Sequence, residues 1–524
     1  MKLRFNESAV IDESKRFTTQ TTGRRFGYVK DSNIGTRSMT PWFPSTYIST
    51  YLISTYLIST YLFNTHIQFQ SDEALMTSIH AIDGNPRSHF HTGAIGEGAR
   101  NINAHDTHIA PGEIAIGVVI GRASEYFDFF VYALASVLAF PAVFFPFAHH
   151  LEGILLAFTV FSFAFIARPF GTVISMAIQR RMGREAKLTI ALFLLGFSTA
   201  GIAFLPGYSH LGGTAIILLA LLRIGQGLAL GGSWDGLPSL LALNAPANKR
   251  GWYAMLGQLG APFGFIIAAS LFAYLLGNLS NADFLDWGWR YPFYVAFAIN
   301  VVALFARLRL VSTPEYARLL DERELEPTGV VELGRSQGRN MLIGALAALA
   351  SYALFHLVTV FPLSWITLYS SRPVDDFLMI QVLGAAIAAV GVVASGLIAD
   401  RFGRRTTLGT LAVMIAVFSV FIPRLIDGGD AGQNLFILIG FALLGLSYGQ
   451  AAGAVTANFA SKYRYTGAAL TSDLAWLVGA GFAPLVALGL SAHFGLAYVS
   501  IYLLSGAACS LAALSLNRKL EIRD

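Results

Sequence analysis

Residues 376–405 read DFLMIQVLGAAIAAVGVVASGLIADRFGRR. From Phe377 to Ala399 no residue is charged, and the run stops at the cluster Asp400-Arg401-Phe402-Gly403-Arg404-Arg405. At about 1.5 Å per residue, a helix of this length crosses the roughly 30 Å of hydrocarbon in a bilayer. The apolar residues do not alternate with a polar face, so the stretch does not read as a soluble amphipathic element. Working outward, eleven more segments have the same character. The full set is 114–140, 152–174, 188–206, 213–241, 252–276, 290–311, 341–369, 376–399, 407–426, 434–459, 466–489 and 495–516. Only helices or closed barrels satisfy their backbone in lipid, and barrel strands show short period-2 alternation that these runs lack. The expected fold is an all-α polytopic membrane protein with twelve transmembrane helices.

Composition agrees. Of 524 residues, 55% are apolar and only 13% are charged, against about 25% charged in soluble domains. That argues against a cytosolic enzyme, a disordered protein or a nucleic-acid binder. The single cysteine, Cys509, allows no internal disulfide. The net charge of +5 has a positional explanation. Arg180, Arg181, Arg184, Lys187, Lys249, Arg250, Arg318, Arg323, Arg335, Arg339, Arg401, Arg404, Arg405, Lys462 and Arg464 fall in alternate connections, and Arg518, Lys519 and Arg523 in the tail. The opposite connections carry Arg372 and Arg424 against Asp283, Asp286, Asp375, Asp376, Asp427 and Asp430. By the positive-inside rule both termini are expected to be cytoplasmic, in a bacterial inner membrane.

The chain divides into two related halves. Residues 312–340 form the longest internal connection, charged and rich in proline and glycine, with six spans on either side. The pattern Gly171-x11-Gly183-Arg184 recurs 220 positions later as Gly391-x11-Gly403-Arg404, and Ser175 aligns with Ser395, Arg181 with Arg401. The expectation is a six-helix bundle over 111–311, a cytoplasmic loop over 312–340, a second six-helix bundle over 341–517 and a cytoplasmic tail over 518–524, the bundles being pseudosymmetric about a central site. Residues 1–110 differ. Residues 45–62 read STYISTYLISTYLISTYL, a five-residue period that matches neither a helix nor a strand. A disordered or artefactual extension is expected there, with Met39 and Met76 as alternative starts; a β-prone adhesive segment is the other reading.

With these residues assembled, the chain resembles the major facilitator superfamily, and within it the metabolite:proton symporter family. The first span has Glu125-Tyr-Phe-Asp128-Phe-Phe-Val-Tyr132, similar to that family's E-W-Y-D-F-F-x-Y. Arg168-Pro169-Phe-Gly171, Arg223-x2-Gln226-Gly227-x3-Gly231-Gly232-x-Trp234 and Trp287-Gly-Trp289-Arg290-Tyr-Pro292-Phe293 follow in family order, and 400–405 matches D-R-x-G-R-R. The resemblance covers about 112–517. It implies alternating access between two bundles and transport of a small organic acid or zwitterion with protons. Three departures stand out. Arg180 occupies the place of an acid, with Glu185 where a base is usual. The fourth-span G-G-E-W-G-G reads Gly231-Gly232-Ser233-Trp234-Asp235-Gly236. Asp473 stands where a neutral amide is common.

An ionisable side chain at mid-membrane costs about 2.5 kcal/mol or more, so such residues face a cavity or one another. The candidates for substrate contact or proton coupling are Glu125, Asp128, Tyr132, Arg223, Gln226, Trp234, His356 and Asp473. Glu125 and Asp128 share a broad helix face, where two close carboxylates raise one another's pKa; alternatively Arg122 simply neutralises Glu125. Arg223 has a planar fork suited to a carboxylate, or forms a permanent ion pair. His356 is either a core residue or a proton site. Arg168 reads as structural or gating. The gating-loop candidates are Arg180, Arg184, Asp235, Asp400, Arg401 and Arg404, with Asp235 able to pair with Arg180 or Arg181 as a rewired latch. Glycines at 257, 260 and 264 with Pro262, and Gly479, Gly481 and Pro484, make the fifth and eleventh spans narrow and bendable.

The sequence carries no metal-ligand spacing, Walker loop or G-x-S-x-G elbow, so no cofactor, no metal and no enzyme activity are expected. The expected function is proton-coupled symport of a small organic anion or zwitterion. Efflux or uncoupled diffusion is the alternative, and a membrane-embedded enzyme or a transporter-like sensor the reading from a different class. The partners expected are a small-molecule substrate, protons and the lipid bilayer, with no nucleic acid and a monomer as the working unit.

Overall fold

The computed structural model describes residues 111–233, 249–311, 327–456 and 459–516. The repeat at 45–62 and all of 1–110 lie outside the described residues, as do Trp234, Asp235, residues 312–326 of the central connection and the tail 518–524.

The described residues form helices joined by turns, with no strand among them. In chain order the long helices are α1 Pro111–Leu138, α2 His150–Met182, α3 Arg184–Phe204, α4 Gly213–Gly232, α5 Arg250–Asn278 and α6 Tyr291–Val311. The second half has α7 Val330–Tyr369, α8 Val374–Phe402, α9 Arg404–Ile426, α10 Gly429–Thr456, α11 Lys462–Phe494 and α12 Ala497–Leu516. Among the described residues ten helices are long and apolar enough to cross a membrane by length and composition; α1 and α6 complete the twelve. The perimeter is apolar, as a lipid-facing surface must be: Phe193, Phe204 and Val390 are each about 70% exposed.

The repeated motif has a backbone cause. Gly183 ends α2 and Gly403 ends α8, and both sit at φ +86°, a conformation that glycine adopts without the penalty other residues meet. The chain then turns directly into α3 and α9, whose first residues are Arg184 and Arg404. The halves also share a packing device. Gly231 of α4 lies on the Arg168 backbone of α2, and Gly445 of α10 lies on the Ala388 backbone of α8. Gly171 and Gly391 face the partner helix from the other side, against Leu228 and Ala442. Without a Cβ the helix backbones touch, which is how helices associate where there is no hydrophobic effect to drive them.

Three helices depart from regular winding, and in α5 the break is a turn at residues 257–259, between Leu256 and Gly260. α7 breaks at Val360 ahead of Pro362. Pro362 cannot donate to the Val358 carbonyl, and the Gln381 amide of α8 donates there instead at 3.0 Å, and to the Thr359 carbonyl at 3.0 Å. α11 winds as a π-helix over Trp476–Gly481, just before Pro484. α7 also starts at Val330, earlier than the apolar run at 341, because the polar turns 330–340 continue the helix; Glu332 there pairs with Lys462 at 2.7 Å.

The narrow fifth span is realised against α1. A Cβ at Gly260 would lie 2.6 Å from the Arg122 backbone, and one at Gly264 would lie 2.7 Å from the Phe127 nitrogen. Gly260→Val should therefore force α1 and α5 apart and destabilise the protein by about 1–3 kcal/mol, the usual cost of overpacking. A melting temperature in detergent equal to that of the wild type would show that this contact is dispensable.

Candidate functional site

Two polar regions lie between the halves. The first is at the basic end of the bundle, where α2 turns into α3 and α8 into α9. Asp400, at the end of α8, accepts from the backbone N–H groups of Gly251 at 2.6 Å and Trp252 at 3.0 Å. These are first-turn amides of α5, with no partners inside their own helix, and the carboxylate also meets the positive end of the helix dipole. Arg404 donates to Gln450 at 3.4 Å, to the Gly453 carbonyl at 3.2 Å and to the Arg250 carbonyl at 3.4 Å. On the other side of this end, Lys187 donates to the Tyr465 hydroxyl at 2.9 Å, and that hydroxyl donates to Gln179 at 3.0 Å. Arg184 lies over the Tyr465 ring, 5.9 Å from its centre. First-half and second-half residues are thus tied together on both sides.

Of the loop candidates, Arg184, Asp400 and Arg404 come to this latch. Arg180 and Arg401 are exposed, and Arg401 rests on the neighbouring Phe402 ring. The proposed pairing of Asp235 falls outside the described residues. Lys187, Gln179 and Tyr465 were not singled out from the sequence. Lys187 looked like one more positive-inside residue, and no spacing linked it to position 465.

The second region is deeper. Arg168 of α2 pairs with Asp473 of α11 at 2.7 Å, with both side chains buried. Thr172, one turn further along α2, donates to the other Asp473 oxygen, and the Arg168 guanidinium lies 5.7 Å from the Trp476 ring centre. This ion pair joins the first half to the second. Nearby, the Tyr126 and Tyr448 hydroxyls also meet across the halves.

Glu125 and Asp128, three apart on α1, face different partners. Glu125 pairs with Arg122 at 2.7 Å and accepts from Ser233 at 2.8 Å. Ser233 holds the place where the family motif has an acid; its hydroxyl meets the α1 carboxylate instead. Asp128 accepts from Thr199 at 2.8 and 2.9 Å, Asn300 at 3.0 Å and Gln226 at 3.3 Å. Those donors come from α3, α6 and α4, so the carboxylate knits the first half together. Asn300 and Thr199 escaped sequence reasoning because neutral polar residues leave little mark on an apolar run.

Arg223 is fully buried on α4. Its Nε donates to the Phe161 carbonyl at 3.2 Å and its Nη1 to Gln226 at 2.9 Å. The guanidinium lies flat against aromatic rings, 3.9 Å from the centre of Tyr132 and 4.7 Å from that of Phe161. Nη2 has no hydrogen-bond partner among the described residues, and neither do the Tyr132 hydroxyl and His356 Nε2. His356 is wholly buried on α7, stacked on Phe129 at 5.4 Å and edge-on to Phe161 at 5.4 Å. A narrow apolar crevice lies alongside, lined by Phe130, Pro262, Phe265, Phe355, Phe441 and Tyr448. Among the described residues no three His, Cys, Asp or Glu side chains cluster as a metal site would require.

A two-bundle membrane fold with buried charges at the seam is the architecture of a membrane transporter. The family model described as "Sugar (and other) transporter" matches residues 114–342. The chain is 34% identical over 413 residues to the inner membrane metabolite transport protein YhjE of Escherichia coli K12, covering 78% of this chain and 94% of that protein. It is 31% identical to the shikimate transporter of the same organism, covering 76% of this chain and 92% of that one. In fold it resembles the crystal structure of a D-xylose-proton symporter, with a TM-score of 0.58 at 18% identity over 77% of this chain and 97% of that one. The chain belongs to the major facilitator superfamily and to its metabolite:proton symporter family. It is a multi-pass integral membrane transporter of metabolites, and its relatives are carriers rather than enzymes.

The latch makes a direct prediction. Asp400→Asn removes the charge behind two backbone hydrogen bonds, each worth about 1.5–3 kcal/mol when one partner is ionised. The basic end should then open more often, by tenfold or more. A Trp252→Cys probe in a Cys509→Ala background should react correspondingly faster with a membrane-impermeant maleimide. An unchanged labelling rate would exclude Asp400 from holding the latch.

Proposed function

We propose that the protein imports a small organic anion or zwitterion across the bacterial inner membrane together with protons, by alternating access, with the basic end and both termini on the cytoplasmic side. The observation that carries this reading is the buried Arg168–Asp473 pair across the seam. Opening the basic end moves α2 from α11 and pulls the pair apart. A separated buried charge is expensive, about 3–5 kcal/mol when one partner is lost. A proton on Asp473 removes that cost on the acid side, and a substrate carboxylate near the first half offsets the positive charge left behind. Proton and anion are then needed together for the halves to part, which is the requirement of symport.

Arg223 supplies the anion site. Its guanidinium is held by Phe161 and Gln226 and keeps Nη2 available. Gln226 and Tyr132 position it; Trp234 and Asp235 remain candidates on the same segment. Asp128 keeps a counter-charge beside it within the first half. The shikimate carried by one relative is an organic acid, in keeping with this class. Arg184, Asp400 and Arg404 act as the cytoplasmic latch, and the working unit is a monomer.

Uptake into proteoliposomes tests the reading. With the interior alkaline, wild-type protein should accumulate a labelled organic acid, and a protonophore should abolish accumulation. Asp473→Asn should lose gradient-driven accumulation at least tenfold while retaining substrate exchange at equal pH. Accumulation that survives the protonophore, or an Asp473→Asn protein that still concentrates substrate, would overturn proton coupling through this pair.

A further inference from the structure

We infer that the transported solute presents a hydrogen-bond donor in addition to its carboxylate, and that His356 selects for that donor. The inference rests on the reading of Arg223 as the carboxylate anchor. It begins from Thr359, one turn after His356 on α7. The Thr359 hydroxyl gives its single proton to the Phe355 carbonyl at 2.8 Å. Its oxygen faces His356 Nδ1 at 3.4 Å and serves there as an acceptor. The neutral imidazole therefore carries its proton on Nδ1, and Nε2 presents a lone pair. Nε2 is buried and has no partner among the described residues.

The imidazole is held in place. It stacks on Phe129 at an interplanar angle of 29° and meets the rings of Phe161 and Phe165 edge-on. The same two rings, Phe129 and Phe161, flank the Arg223 guanidinium, at 5.9 and 4.7 Å. One pair of rings thus separates a first-half group that can only donate from a second-half group that here accepts. When the bundles part, a carboxylate satisfies Arg223 Nη2 and a hydroxyl or N–H satisfies His356 Nε2. A solute with both groups bridges the halves. A quaternary betaine has no N–H to offer and leaves Nε2 unsatisfied, and a deoxy acid does the same. Leaving a buried polar group unpaired is how sites reject near-isosteric analogues strongly. The solute class is therefore hydroxylated carboxylates and amino acids that retain an N–H.

Equilibrium binding to the detergent-solubilised full chain at a single pH tests this without involving proton coupling. The probes are matched pairs: 3-hydroxycyclohexanecarboxylate with cyclohexanecarboxylate, and proline with its N,N-dimethyl betaine. Wild-type protein should bind at least one donor-bearing member tenfold or more tightly than its partner. His356→Phe keeps the ring stack but removes the acceptor, and should reduce that preference to within about twofold. His356→Gln, which offers an amide oxygen, should restore part of it and guards against a folding defect in the phenylalanine variant. Arg223→Gln should weaken both members of each pair alike. Equal wild-type affinity within both pairs, or a preference that survives His356→Phe, overturns the role of His356 while leaving the carboxylate anchor standing. Affinities unaffected by Arg223→Gln, or no binding of any probe, overturn the anchor and this inference with it.

Discussion

Charge does not dissolve in hydrocarbon, and most of this molecule's interior is arranged around that fact. Lipid supplies no water to an unpaired ion and no hydrophobic force between helices. The first half answers with Asp128, bound by donors from three other helices, and with Glu125 between Arg122 and Ser233. The seam answers with Arg168 and Asp473. Glycine contacts bring the backbones of α2 and α4 together, so that a side chain as short as Thr172 also reaches the Gly231 carbonyl, at 3.2 Å. Gly231 touches the backbone of both Arg168 and Thr172 and stands two residues before Ser233.

The two halves share a backbone plan but not a chemistry. Their turns, glycine contacts and helix order correspond. Arg168 lies under Gly231, yet its counterpart under Gly445 is Ala388. The second half is satisfied mainly by neutral amides, with Gln381 repairing the proline break in α7 and Gln450 bonding the Gly251 carbonyl and Ser395. Away from the latch formed by Asp400 and Arg404, charged chemistry is concentrated in α1, α2 and α4, and α11 reaches across with one carboxylate. A transporter built this way keeps its electrostatics largely in one body and uses the other as a moving wall.

Much of the architecture was legible in the sequence because a bilayer imposes a length and a composition on each span. The echo of Gly183 and Gly403 was equally legible, since a positive φ at each helix end leaves few residues to choose from. The candidate site was legible as a roster of residues and not as a set of pairs. Spacing placed Glu125 and Asp128 on one face, yet their partners come from different helices. Asp473 was conspicuous as a charge in a span, but only the folded chain brings it to Arg168, 305 positions away. Neutral partners such as Thr199, Asn300 and Tyr465 gave no signal, since a hydroxyl or amide hardly lowers the hydropathy of a span.

The π winding of α11 over Trp476–Gly481 bears on how that helix can touch α2 twice. Asp473 bonds Arg168 before the wide turns, and the Gly481 carbonyl accepts from Ser162 at 2.9 Å near their end. An ordinary α-helix advances about 100° per residue, so winding out a single surplus residue would rotate one contact away from the other. The surplus acts as a dislocation in an otherwise regular lattice. Were it to travel along α11, Trp476 would swing relative to Asp473 without any helix being broken, and the aromatic floor beneath Arg168 would change while the chain stayed continuous.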